Sequence, residues 1–150
     1  MGNRAVITTK EKQIGVYLHW NGGYDSITGF LAYCQFQGFR CPEDDNYGWA
    51  RLTQIISNFF DSGLSVGFDK YENLDCNNSD NGVYIIEDWK IIGREFHDGE
   101  EQKSYDFSEM VVEINEAQPK NIQFSLETLE NLTKNYIENN KDYVVIKSDK

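Results

Sequence analysis

The chain has 150 residues, of which 39% are hydrophobic, and its 25 acidic and 14 basic side chains give a formal net charge of -11. This length fits one hydrophobic core, so we expect residues 1–150 to form a single domain. The negative charge disfavours direct binding to nucleic acids or anionic membranes, which would repel the average surface.

Targeting and redox signals are also weak. Residues 1–12 lack the apolar segment of a signal peptide, and no run approaches the roughly 20 apolar residues of a membrane-spanning helix. We therefore expect a cytoplasmic protein. Three cysteines without a C-x-x-C spacing, Cys34, Cys41 and Cys76, predict free thiols instead of a disulfide framework or a zinc site.

The first half of the chain combines strand and helix patterns. Residues 6–8 and 14–20 predict two strands of a hairpin. A helix capped by Asp25 or Ser26 should follow and end at Gly38, because apolar residues recur in it at steps of three and four. A second helix should start near Pro42 or Asn46 and stop at residues 62–63. Its apolar stripe comprises Trp49, Leu52, Ile55, Ile56, Phe59 and Phe60.

The second half continues the sheet and adds two helices. Residues 64–69 predict a strand, residues 70–81 a loop, and residues 83–96 two strands broken around Asp88 and Trp89. Helices should follow the caps Asp106 and Ser125, and residues 143–146 a last short strand. The sequence thus predicts an α+β fold, with an antiparallel or mixed sheet of about five or six strands covered by three or four helices.

The most distinctive segment is residues 17–26, in which a strand leads through two glycines into a helix. Such a turn exposes backbone N–H groups that can bind an anion. We therefore predict a connected, at least partly exposed binding patch, formed by His19, Trp20, Asn21, Gly22, Gly23, Tyr24 and Asp25. The alternative is structural: His19 and Asp25 fix the turn, and Trp20 fills the core.

Metal and catalytic motifs are absent from the sequence. The loop at residues 75–82 is rich in oxygen ligands, but an EF-hand starting at Asp75 would need glycine where Asp80 stands and glutamate where Ile86 stands. The two histidines, His19 and His97, have no metal-binding spacing. We expect no metal and no cofactor, and the lack of nucleophile motifs favours a protein that is not an enzyme.

An acid-rich region extends over residues 95–116, where eight acidic side chains stand against Lys103 alone. On a rigid face these charges would imitate the phosphates of DNA. The predicted acidic surface comprises Glu100, Glu101, Glu109 and Glu113. An ordinary solvated helix face is the alternative.

Two resemblances add to these patterns. Residues 21–26, Asn-Gly-Gly-Tyr-Asp-Ser, resemble the S-G-G-x-D-S phosphate loop of ATP pyrophosphatases, with Asn21 in place of the first serine. Residues 1–7, 16–23 and 47–52 resemble a family of small bacterial and phage proteins that begin M-G-[NT]-R and carry Y-x-H-W-[ND]-G. That resemblance covers about the first 95 residues and implies a gene that travels with mobile elements.

Three functions follow as expectations. The first is a non-enzymatic acidic binding protein, an anti-defence inhibitor that acts by stoichiometric binding to a host protein that handles nucleic acid. The second is a protein that binds or sequesters a nucleotide-like ligand at residues 19–25, with Trp20 or Tyr24 stacked on the base. The third is an ATP pyrophosphatase, as the phosphate-loop resemblance implies.

Overall fold

A five-stranded sheet and four α-helices make up the chain in the computed structural model, which describes residues 2–61 and 65–147. The strands are β1 (Ala5–Thr8), β2 (Ile14–Leu18), β3 (Val66–Lys70), β4 (Val83–Glu87) and β5 (Lys90–Glu95). The helices are α1 (Tyr24–Phe36), α2 (Asn46–Phe59), α3 (Phe107–Ala117) and α4 (Leu126–Asn139), with a 3₁₀ turn at Tyr71–Asn73.

The sheet is mixed and has the order β3-β2-β1-β4-β5. β1 pairs parallel to β4, with Val6 opposite Val83, and the other neighbours are antiparallel. The β4–β5 turn consists of Asp88 and Trp89, both in the left-handed region (φ 55° and 60°), as tight hairpins require. The predicted α+β class, mixed sheet and break at these two residues are confirmed.

The main core lies between one face of the sheet and helices α1, α2 and α3. Alternation along a strand directs Ile7 and Leu18 to this face, where they pack against Phe30 and Leu52. The opposite face is partly covered by the loop after β3, since Leu74 lies beside Gly15. A smaller cluster joins α1, α3 and α4 around Phe107, Val111 and Tyr136.

Three helix starts match their sequence signals. The Asp45 side chain accepts a hydrogen bond from Tyr47 N at 2.9 Å and begins α2. Asp106 caps α3 and Ser125 caps α4 in the same way. The predicted apolar face of α2 is also confirmed, because its central residues, Trp49, Leu52 and Ile56, are at most 4% exposed. The predicted end at residues 62–63 lies outside the described residues.

Two local predictions are wrong. Neither Asp25 nor Ser26 caps α1: Gly23 occupies the N-cap without a side-chain hydrogen bond, and both polar residues lie inside the first turn. Residues 143–146 form no strand, because their backbone bonds to a helix instead of the sheet, with Val145 O accepting from Phe107 N at 2.8 Å.

The four helices are short compared with the hydrocarbon core of a bilayer. None of those in residues 2–61 and 65–147 combines the length and the apolar character that crossing a membrane requires.

Candidate functional site

The segment predicted as a binding patch leads from β2 into α1. Trp20 is 46% exposed, and its ring meets His19 edge-on with centroids 4.9 Å apart. His19 Nδ1 lies 2.9 Å from Tyr17 Oη, which fixes the imidazole on the strand. Trp20 is therefore the most accessible residue of the segment, with His19, Asn21 and Tyr24 partly exposed, and it does not fill the core as the structural alternative supposed.

The two glycines of this segment are buried because other backbone and side chains approach them closely. A Cβ on Gly22 would lie 2.5 Å from Asn3 O and 2.8 Å from Ala5 Cβ. A Cβ on Gly23 would lie 2.7 Å from the Gln102 side chain. The residue with positive φ is Asn21, at 56°. Close approach, and not a left-handed conformation, explains both glycines.

Asp25 is a buried anchor and is only 1% exposed. Its Oδ2 accepts hydrogen bonds from Ser104 N at 2.7 Å and Tyr105 N at 2.9 Å, and its Oδ1 accepts from Ser26 N at 2.7 Å. A carboxylate that accepts three backbone N–H groups is well stabilised in the interior. Asp25 therefore ties the loop before α3 to the start of α1.

A cluster of polar and aromatic side chains packs against the turn that precedes Asp25. Tyr84 Oη donates to Gly22 O at 2.6 Å, and the Arg94 guanidinium lies 3.8 Å from the centre of the Tyr84 ring. Burial raises the pKa of the Tyr84 phenol, so it remains a hydrogen-bond donor at neutral pH. Tyr24, half-buried, donates to the carbonyl of Tyr143, and burial raises its pKa as well.

Three backbone N–H groups of residues 21–26, in the turn and the first turn of α1, already have partners inside the protein. Gly22 N donates to Asn3 O, Asp25 N donates to Gln102 O, and Ser26 N donates to the Asp25 carboxylate. An anion arriving there would also meet that buried negative charge. The arrangement disfavours phosphate binding at residues 21–26, and with it the nucleotide-binding and pyrophosphatase alternatives.

Of the four residues in the predicted acidic surface, one is paired with a cation and three are exposed. Glu101 is not free: it forms an ion pair with the Arg94 guanidinium and lies 3.4 Å from His97 Nε2. Glu100 is exposed in the loop before α3. Glu109 and Glu113 are exposed on α3. The sequence could not distinguish the paired glutamate because Arg94 is in another element, on β5.

Two residues of the predicted acidic surface belong to a stripe of three glutamates on α3. Glu109, Glu113 and Glu116 are exposed and follow one another at steps of four and three residues, which places them on one helix face. None of the ion pairs formed within residues 2–61 and 65–147 includes any of them. We call these three residues the α3 acidic stripe.

Beside this stripe, α3 and α4 enclose an apolar groove of about 540 Å³ that the sequence did not reveal. Leu126 at its edge is 67% exposed, whereas Leu129 is 1% exposed. The apolar residues of α4 are the signal in the sequence, but their spacing alone does not show which of them are exposed. The residues that line the groove are Ser108, Val112, Leu126, Leu129, Glu130, Thr133 and Lys134.

Two segments of the described residues, the loop at residues 75–82 and residues 41–44, carry several side chains of the kinds that bind metals. In the loop at residues 75–82, the Asn78 side chain stabilises the loop itself, because its Oδ1 accepts hydrogen bonds from Asp80 N and Gly82 N, both at 3.0 Å. Elsewhere one ligand atom each of Cys41, Glu43 and Asp44 lie within 4.8 Å of one another. Burial and nearby carboxylates raise the pKa of Cys41 to about 11, which keeps this thiol protonated.

Comparisons with known proteins complete the description of the site. No protein-family model, curated protein sequence or solved structure matches the chain. The accessible features of the molecule that could bind a partner are Trp20, the α3 acidic stripe and the neighbouring groove.

Proposed function

We propose that the protein is a non-enzymatic acidic binding protein that inhibits a host protein by stoichiometric binding to its basic, nucleic-acid-handling surface. The protein would then belong among the inhibitors of restriction or CRISPR defence. The observation that carries the proposal is the α3 acidic stripe, whose three carboxylates are exposed and belong to no ion pair of the described residues.

Spacing along the helix limits how closely this stripe resembles DNA. At about 1.5 Å rise per residue, Glu109 and Glu113 are roughly 6 Å apart along the axis, and Glu113 and Glu116 roughly 4.5 Å. Each DNA strand carries a phosphate about every 3.4 Å. The stripe is therefore sparser than a duplex and short, so it supports contact with a compact basic patch instead of a copy of the whole DNA backbone.

The net charge of the molecule supports the same function. At -11, the protein attracts a basic partner over a distance of about one Debye length, roughly 8 Å at physiological salt. Complementary charge mainly accelerates association, which makes binding depend on salt concentration. No catalytic step is needed for inhibition of this kind.

Binding and inhibition assays with purified restriction endonucleases and CRISPR effector nucleases would test the proposal. We expect one-to-one binding at low salt that weakens as salt rises, together with loss of DNA cleavage. Replacing Glu109, Glu113 and Glu116 with glutamine should weaken binding at least tenfold. Glu101 is left intact, because its loss would unpair Arg94.

A matched variant controls for total charge. Glu11→Gln, Asp61→Asn and Glu72→Gln remove the same number of exposed carboxylates from other parts of the chain. This variant should retain binding within about threefold, since it loses only long-range attraction. The proposal fails if no effector binds at low salt or if both triple variants lose binding equally.

A further inference from the structure

The α3–α4 groove has the α3 acidic stripe beside it on one helix, and one acidic and one basic side chain among its lining residues on the other. On α3, Val112 lines the groove, and Glu109 and Glu116 are its helical neighbours at three positions before and four after. On α4, Glu130 lines the groove itself. Lys134 is the one cation among the lining residues. An occupant should therefore combine an apolar surface with positive charge.

The interior of the groove is apolar. Leu129 and Val112 form its floor and wall, and Thr133 satisfies its own hydroxyl by donating to Leu129 O at 2.7 Å. Leu126, at the first turn of α4, exposes two thirds of its surface at the groove edge. Covering such a residue releases water from apolar surface, which is a favourable contribution to binding.

The backbone around the groove indicates the conformation of the occupant. Both walls are helices, so no strand edge is present there to pair with an extended peptide. A helix satisfies its own backbone hydrogen bonds and can bind through side chains alone. A second copy of this chain is a poor occupant, because each copy carries a charge of -11.

From this juxtaposition of an apolar groove and acidic side chains we propose that the α3–α4 groove binds a basic amphipathic helix of the partner protein. Apolar side chains of that helix cover Leu126 and Val112, and its lysines or arginines reach Glu109, Glu116 and Glu130. This inference rests on the proposed function and names the kind of surface that the α3 acidic stripe recognises.

Three synthetic peptides of equal length serve as probes: an amphipathic Leu/Lys helix, a Leu/Glu helix and a Lys/Ser peptide without an apolar face. We expect the Leu/Lys helix to bind at least tenfold more tightly than either control peptide. Leu126→Ala should weaken its binding about tenfold and leave binding of the Lys/Ser peptide unchanged. Amide NMR shifts on adding the Leu/Lys helix should concentrate in residues 108–134.

Ile92→Ala is the matched control for the apolar truncation. Ile92 is 47% exposed on β5, away from the groove, and its replacement should leave binding of the Leu/Lys helix unchanged. The inference is overturned if Leu126→Ala and Ile92→Ala have equal effects, if the Leu/Glu helix binds as tightly, or if shifts fall mainly on the strands.

The nuclease assays separate failure of this inference from failure of the proposed function. If Leu126→Ala inhibits nucleases as well as the unchanged protein does, while the Glu109/Glu113/Glu116 variant does not, the proposed function stands and the groove inference is wrong. If the Leu/Lys helix binds in the groove and no nuclease is inhibited, the inference stands and the proposed function is wrong.

Discussion

A single buried carboxylate, Asp25, connects two parts of the chain that are distant in sequence. Its oxygens hold N–H groups of Ser104 and Tyr105, and of Ser26 in its own helix. Removing a charged acceptor leaves buried donors unpaired, which costs more than the net value of the bonds.

Asp25→Asn should therefore lower the free energy of unfolding by roughly 2 to 4 kcal/mol, because the amide keeps the size of the side chain but places N–H groups against N–H donors. Urea unfolding followed by circular dichroism measures the change. Trp20→Ala, at an exposed position, should change stability by less than about 1 kcal/mol. Equal losses in the two variants would contradict this role of Asp25.

The ionisation of Asp80 makes the free energy of unfolding depend on pH in the acidic range. The hydrogen bond from Arg4 Nε, 2.7 Å long, lowers the pKa of Asp80 below its ordinary 3.8. Because the folded-state pKa lies below the unfolded value, the stabilisation is present above pH 3.8 and is lost as pH falls through the folded-state pKa. The pair is partly exposed, so its contribution is modest.

Asp80→Asn should consequently reduce the free energy of unfolding by about 1 kcal/mol at neutral pH. The difference from the unchanged protein should shrink once the pH is below 3.8. Urea titrations at a series of pH values provide the measurement. A difference that stays constant across the series would show that the carboxylate charge has no part in it.

At the scale of elements, the turn between β2 and α1 depends on the small size of Gly22. Gly22→Ala should destabilise the protein by roughly 1 to 3 kcal/mol, because a methyl group would press against Asn3 O and Ala5. Thermal unfolding measures the effect. Gly67→Ala is the control: its nearest neighbour would be Tyr17 Cβ at 3.9 Å, so the melting temperature should remain nearly constant or rise slightly.

Local sequence signals predicted most elements, and tertiary contacts explain where they did not. The α2 stripe and the predicted caps Asp106 and Ser125 act within one or two turns, so the buried face of α2 and the starts of α3 and α4 are visible in the sequence. Asp25 resembles a cap but bonds to residues 104 and 105, which no local pattern reveals.

In the candidate site, too, local patterns predicted the secondary structure but not the burial of the side chains. The sequence predicted that residues 19–25 lie at a strand end and a helix start, and this placement is confirmed. The exposure predicted for this patch agrees with the structure at Trp20 and is wrong for Gly22, Gly23 and Asp25, which are buried. Their burial depends on Asn3 and on the loop at residues 102–105, which no local pattern reveals. The groove could not be predicted because Leu126 and Leu129 are three residues apart in one apolar pattern, and only the packing of α3 against α4 leaves Leu126 exposed and Leu129 buried.

For the whole molecule, all three cysteines are free in the structure. Burial raises the pKa of Cys34, and burial with nearby carboxylates raises that of Cys41 to about 11, so both thiols remain protonated at neutral pH. We expect slow reaction of these two with a thiol reagent in the folded protein, since the thiolate is the nucleophile. Under denaturing, non-reducing conditions three thiols should react, and a count of one would contradict free cysteines.

The parallel pairing of β1 with β4 has a consequence for the order in which the chain assembles. Hairpins β1–β2 and β4–β5 close locally, but the centre of the sheet joins Val6 to Val83 across β2, α1, α2 and β3. Long-range pairing of this kind is slow, because a large loop must close first. During synthesis, one edge of β1 therefore stays open to wrong partners until β4 leaves the ribosome.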